Sequence, residues 1–127
     1  MTKEILKIIS DSMESLGLNY EFMEFTSSIE YPYFVGEYGE TEPLTEDGLQ
    51  ESSFILTGYS RASWLSLENA KESIEAFFDP ISGHTEITSS GSGVAVFYSN
   101  GFPVPTGDAD LKKMQINLTI KEWKVNE

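Results

Sequence analysis

Across residues 113–121, Lys-Met-Gln-Ile-Asn-Leu-Thr-Ile-Lys, polar and apolar residues alternate without a fault, and no other stretch restricts the fold as tightly. Successive side chains on a strand point to opposite faces, so Met114, Ile116, Leu118 and Ile120 share one face while Gln115, Asn117 and Thr119 share the other. A one-residue slip would carry four apolar side chains into water, at roughly 1.5–3 kcal/mol each, so the register is firmly set. The rest of the chain has to cover that apolar face.

Two helices are predicted to supply the cover. Ile5, Leu6, Ile8, Ile9, Met13 and Leu16 recur at helical spacing, with Thr2 as N-cap and Glu4 in the first turn, where the helix dipole favours an acid. Gly17 is suited to a left-handed C-cap, with Leu18 folding back on Met13. A second helix follows Ser66 as N-cap, carries Leu67, Ala70, Ile74, Phe77 and Phe78, and ends before Pro80.

Strands are predicted at residues 29–38, where Pro32 belongs at a strand start or edge, and at residues 53–61. The second carries apolar residues on both faces, which suits a central position. A hairpin is predicted from residues 85–89 and 94–98 around Ser90-Gly91-Ser92-Gly93, ahead of the 113–121 strand. A short extended piece near Tyr20 and Phe22 is the weakest of these signals. Trp123 falls out of phase with Ile120, which predicts a bulge or an end to pairing near Glu122. The fold class read from this order is α+β, two helices packed on a largely antiparallel sheet of about five strands, in a single domain over residues 1–127.

Two segments lack periodicity. Residues 37–51 carry six acids and no Lys or Arg, with Gly39, Pro43 and Gly48 among them, so they read as an exposed turn joining two strands. Residues 99–110 form a long stretch stiffened by proline, and its apolar members Phe102 and Val104, with Pro103 and Pro105, form a candidate partner-contact loop or a cap on the core.

Chemistry finds little to work with. Cysteine is absent, which excludes disulfides, thiolate metal sites and cysteine nucleophiles. His84 is the only imidazole and has no metal-ligand spacing around it; Asp108 and Asp110 lack the alternating oxygen ligands of a calcium loop. Ser60-Arg61-Ala62-Ser63 is no nucleophile elbow, and the Gly91-Ser92-Gly93 turn leads into neither a Lys nor a helix. No catalytic residue, metal ligand or cofactor is therefore expected, and the chain reads as a non-enzyme.

Charge narrows the partners. Eight Lys+Arg against 21 Asp+Glu leave a net charge of -13, which repels phosphate backbones and anionic lipid alike. No apolar run approaches the roughly 18 residues needed to span a bilayer, and the first residues are too charged for a signal-peptide core, so an intracellular protein without membrane contact is expected.

The order helix, strand, strand, helix, hairpin, strand resembles the small bacteriophage tail-completion and tail-terminator proteins. The stretches that carry the likeness are Ile29-Glu30-Tyr31-Pro32-Tyr33-Phe34-Val35-Gly36-Glu37 after the first helix and Phe54-Ile55-Leu56-Thr57-Gly58-Tyr59-Ser60-Arg61 before the second. The resemblance implies a prophage or virion structural protein of the head-tail joining type, forming an oligomeric ring, usually of six copies, at the end of the tail tube. Its partners would be further copies of itself, tail-tube proteins and head-tail connector proteins, met in the host cytoplasm during virion assembly. DNA would pass through unbound, past a candidate pore-facing or partner-facing acidic loop of Glu40, Glu42, Glu46 and Asp47. The alternative is a small acidic DNA mimic or adaptor that occupies the groove of a basic partner.

Overall fold

The computed structural model describes the whole chain except residues 25, 27, 41–47 and 125–127 and the side chain of Glu40. Its elements run α1 (Lys3–Ser15), β1 (Asn19–Phe22), β2 (Tyr33–Glu40), β3 (Leu49–Ser60), α2 (Trp64–Phe77), β4 (His84–Ile87), β5 (Gly93–Val104) and β6 (Lys112–Trp123). The strands form one sheet in the order β1-β2-β3-β6-β5-β4. This mixed α/β architecture departs from the expected sheet in two ways: it has six strands rather than about five, and β1 pairs with β2 in parallel, so the sheet is mixed. The extra strand is the short piece at Tyr20, too brief to declare itself through alternation.

The alternating stretch lies at the centre, as the last element in the chain. β6 pairs antiparallel with β3 from Lys112↔Ser60 to Trp123↔Leu49 and with β5 on its other side. Met114, Ile116, Leu118 and Ile120 are at most 1% exposed. They meet Phe54 and Leu56 from β3 and Val96 and Tyr98 from β5, and over this face pack Ile5, Ile8, Ile9 and Met13 of α1 and Leu67, Ala70 and Ile74 of α2.

The first helix ends as its sequence implies. Thr2 caps the start through its hydroxyl, which accepts from the Ile5 N–H; Gly17 takes a left-handed φ of 72°, and the N–H of Leu18 donates to the Met13 carbonyl at 3.1 Å. The second helix starts earlier than predicted. Ser63, not Ser66, is its N-cap, accepting from the Ser66 N–H, while the Ser66 hydroxyl donates to the Ser63 carbonyl at 2.7 Å. Two serines three apart each offer a capping oxygen, and the pattern alone does not rank them.

Three further expectations are corrected. The predicted turn over 37–51 is strand at both ends, Glu40 being the last residue of β2 and opposite Ser52; Glu42, Glu46 and Asp47 lie outside the described residues. The first half of the predicted loop at 99–110, through Val104, is strand. Ser99 is the extra residue of a bulge between the Tyr98↔Leu118 and Asn100↔Asn117 pairs, and β5 then continues through Phe102↔Gln115, Pro103↔Met114 and Val104↔Lys113. Only Pro105 of the candidate contact group lies beyond the strand. Finally, β6 has no break near Glu122: Trp123 stays in phase on the face away from the helices, and Glu122 is the residue turned inward.

Candidate functional site

Both helices lie on one side of the sheet, and among the described residues no helix or strand lies over the other side. Along β3 and β6 every second residue is buried under the helices and its neighbours are half-buried, the signature of a sheet with one covered face. The open face is built by Tyr33, Val35 and Glu37 of β2; Glu51, Ser53, Ile55, Thr57 and Tyr59 of β3; the odd-numbered residues 113–123 of β6; and Phe97, Asn100 and Phe102 of β5.

One end of this face is aromatic. Tyr31, Tyr33 and Tyr59 follow one another with ring centroids 5.6 and 5.1 Å apart, and the Lys113 Nζ lies 5.8 Å over the Tyr59 ring. Arg61 extends the row: its Nε donates to the Tyr31 hydroxyl at 3.2 Å and its Nη1 reaches Asp108 Oδ2 at 3.4 Å. Burial, and then the neighbouring Tyr31 and Tyr59, push the Tyr33 hydroxyl above its ordinary pKa. Asp108 is held below the usual carboxylate range mainly by the backbone N–H of Asp110, with Arg61 adding to it. A shallow depression of about 370 Å³ opens here between Met23, Glu24, Tyr33, Val35, Glu37, Thr57 and Tyr59.

The centre of the face is polar but uncharged. Gln115 donates to Asn117 Oδ1 at 3.0 Å, Asn117 donates to Asn100 Oδ1 at 2.7 Å, and the Ser99 and Thr119 hydroxyls lie 2.6 Å apart. Across β1, β2, β3, β5 and β6 the face carries three acids, Glu21, Glu37 and Glu51, and two lysines, Lys113 and Lys121, so it is close to neutral on a chain whose net charge is -13. Lys121 sits 5.7 Å over the Phe97 ring and opposite Glu51.

The residues singled out from sequence divide accordingly. Phe102 lies on the open face at 44% exposure, a strand residue rather than a loop residue. Pro103 points its strand position toward the helix side and has no N–H to offer at the outer edge of β5, which blunts that edge. His84 begins β4 with its ring 4.6 Å from Phe77 and its Nε2 2.7 Å from Glu86 Oε2, a packed residue at the start of a strand. Asp108 accepts from the Asp110 N–H at 2.9 Å, so the Asp-x-Asp pair forms a local turn. Among the described residues no three His, Cys, Asp or Glu side chains come together to hold a metal ion, and no helix is long and apolar enough to cross a membrane. Sequence reasoning missed the Tyr31, Tyr33, Tyr59 and Arg61 row because its members come from separate segments; only the spacing of two between Tyr31 and Tyr33 and between Tyr59 and Arg61 was there to be noticed.

No family model matches the chain, and no curated protein matches it. Among solved structures, one named only by a sequence identifier superimposes with a TM-score of 0.68 at 18% identity, over 98% of this chain and 94% of that one. At that identity the likeness speaks for the fold alone.

Proposed function

We propose that the protein is a phage or prophage structural protein of the tail-terminator or head-tail joining type, whose copies close into a ring at the end of the tail tube. The observation that carries the reading is the open sheet face. Its centre carries no charge and one end gathers Tyr31, Tyr33, Tyr59 and Arg61, and low charge with aromatic and Arg enrichment marks protein contact surfaces. Four strands about 4.8 Å apart and up to about 12 residues long cover roughly 700 Å², close to the ~800 Å² per partner of an ordinary specific interface.

Charge accounts for the choice of face. Copies at -13 each repel, and the near-neutral sheet face is where two of them approach at least cost. The remaining acids then lie on the outside and along the lumen, including the run of Glu40, Glu42, Glu46 and Asp47, where a negative wall keeps a passing duplex from sticking. Tail-tube and head-tail connector proteins are the neighbours above and below, and the protein acts in the host cytoplasm during assembly and in the virion afterwards.

Electron microscopy of the concentrated protein, alone and mixed with tail tubes, tests this. Closed rings of uniform diameter, or a cap on tube ends, are expected. Open filaments, or particles that stay single in both samples, would refute the reading.

A further inference from the structure

Two apolar features of the surface lie on either side of β4. One is a slot of about 300 Å³ at the edge of the open face, where Ile87, Gly93 and Trp123 fall in one register row across β4, β5 and β6. Gly93 leaves the gap, Ile87 at 76% and Trp123 at 41% exposure stand beside it, and the buried Ala95 lies at its floor. A Cβ on Gly93 would meet Ile87 Cδ1 at 4.0 Å and no other atom within that distance, so among the described residues no side chain fills the gap. The other feature is Ile81, just before β4, which at 90% is the most exposed of the described large apolar side chains. It stands on a turn fixed by Asp79, whose Oδ1 accepts from the Ile81 and Ser82 N–H groups at 2.8 and 2.9 Å and whose carbonyl accepts from the Gly83 N–H at 2.8 Å. A side chain presented on so constrained a turn loses little backbone freedom on binding.

We propose that Ile81 of one copy seats in the slot at Gly93 of the next, so that copies meet head to tail. The inference rests on the ring reading and deepens it by naming the two surfaces that touch. A ring needs two different surfaces: a protruding apolar group on one part of a molecule that fits a hollow on another makes a heterologous contact, which closes into a ring where the rotation allows, whereas a self-complementary contact stops at two copies. The slot is continuous with the open face. The four residues of β4 add about 65 Å² to the roughly 700 Å² of the longer strands, which brings the surface nearer the ~800 Å² per partner of a specific interface. The slot's volume is that of about ten waters at ~30 Å³ each, enough for the four carbons of an isoleucine side chain, and a tryptophan wall is where interface energy tends to concentrate. On this face the charge nearest the slot in the register is Lys121, opposite Ala95, so the Asp79 that arrives with Ile81 first meets an opposite charge; the Glu86 carboxylate lies on the other face, against His84.

Sedimentation velocity of Ile81→Ser, of Gly93→Val and of their equimolar mixture, in high salt, tests this. Ile81 is exposed and Gly93 is a strand residue with room for a Cβ, so both variants should keep the wild-type melting temperature, and a β-branched side chain at Gly93 fills the slot. Each variant alone should associate at least tenfold more weakly than the wild type. The mixture should form two-chain particles and nothing larger, because Ile81 of the Gly93→Val chain still fits the slot of the Ile81→Ser chain while the reverse pairing is lost. Either variant associating as the wild type does, or a mixture no more associated than its components, would overturn the proposal and leave the ring reading standing; a variant that associates normally yet no longer caps tail tubes would overturn it by giving the slot to a tube protein. A wild type that stays single both in high salt and with tail tubes added would overturn the two readings together.

Discussion

Gly36 gives the sharpest stability test of the packing between β1, β2 and β3. A Cβ at this position would lie 2.7 Å from two Phe54 ring carbons and closer still to the Tyr20 hydroxyl oxygen. Phe54 is fully buried and its ring is stacked beside Phe22 at 6.4 Å, so it has little room to swing away. Overpacking of this kind costs about 1–3 kcal/mol, while replacing glycine by alanine returns about 0.4–1 kcal/mol through the unfolded chain. Gly36→Ala should therefore lose about 1–2 kcal/mol, or about 0.5–1 M in urea midpoint for a slope near 2 kcal/mol/M. Gly39, three residues along the same strand, is the control, since a Cβ there meets no atom within 4 Å; Gly39→Ala should be neutral or slightly stabilising. The Tyr20 hydroxyl is buried without a hydrogen-bond partner among the described residues, so Tyr20→Phe should stabilise by up to about 1 kcal/mol and should recover part of the loss in the Gly36→Ala background. Equal urea midpoints for Gly36→Ala and Gly39→Ala would refute the reasoning.

Three further outcomes follow from the same contacts. Burial raises the Tyr20 hydroxyl above its ordinary pKa, so above about pH 10 the unfolded chain releases a proton that the folded chain retains, and stability falls as pH rises; thermal unfolding of Tyr20→Phe should lose part of that alkaline sensitivity. Asp79 accepts from the Ser82 and Ile81 N–H groups after α2 and is held below the usual carboxylate range, so its support is present above about pH 4 and lost as pH falls through the lower folded value; Asp79→Asn should match the wild type in acid and fall behind it at neutral pH. Leu118→Ala should cost about 2–5 kcal/mol whereas Thr119→Ala, one residue away on the open face, should stay within about 0.5 kcal/mol or little more, and urea unfolding of the pair reads out which face is covered.

The parts of this fold that could be read from the chain are those where one period persists. Met114 to Ile120 gave both strand and buried face, and Thr2 with Gly17 bounded α1 to within a residue, because each rests on local chemistry. The misreadings have a common cause. Phe102, Pro103 and Val104 looked like loop because Pro103 cannot donate and Ser99 disturbs the period, yet a bulge absorbs one residue and pairing resumes. Trp123 looked like a core residue out of step because large aromatics are usually inside; in the sheet the period holds, leaving Trp123 41% exposed and Glu122 inside. Alternation was the better guide there than hydrophobicity. The open face was legible in β6, whose Gln115, Asn117 and Thr119 had to lie opposite the covered side, but not in β3, where Ile55 and Tyr59 make both faces apolar and only the packing of α1 and α2 decides between them.

Sedimentation velocity across a wide concentration range in 1 M salt tests most directly whether the near-neutral sheet face joins copies, because a Debye length of about 3 Å then removes most of the repulsion between chains. The wild type should grow toward one closed assembly, Asn117→Lys at the centre of the face should remain monomeric while keeping its melting temperature, and Glu68→Lys on the exposed side of α2 should assemble like the wild type. An Asn117→Lys variant that assembles unchanged, or a wild type that stays monomeric here and also with tail tubes added, would contradict the account.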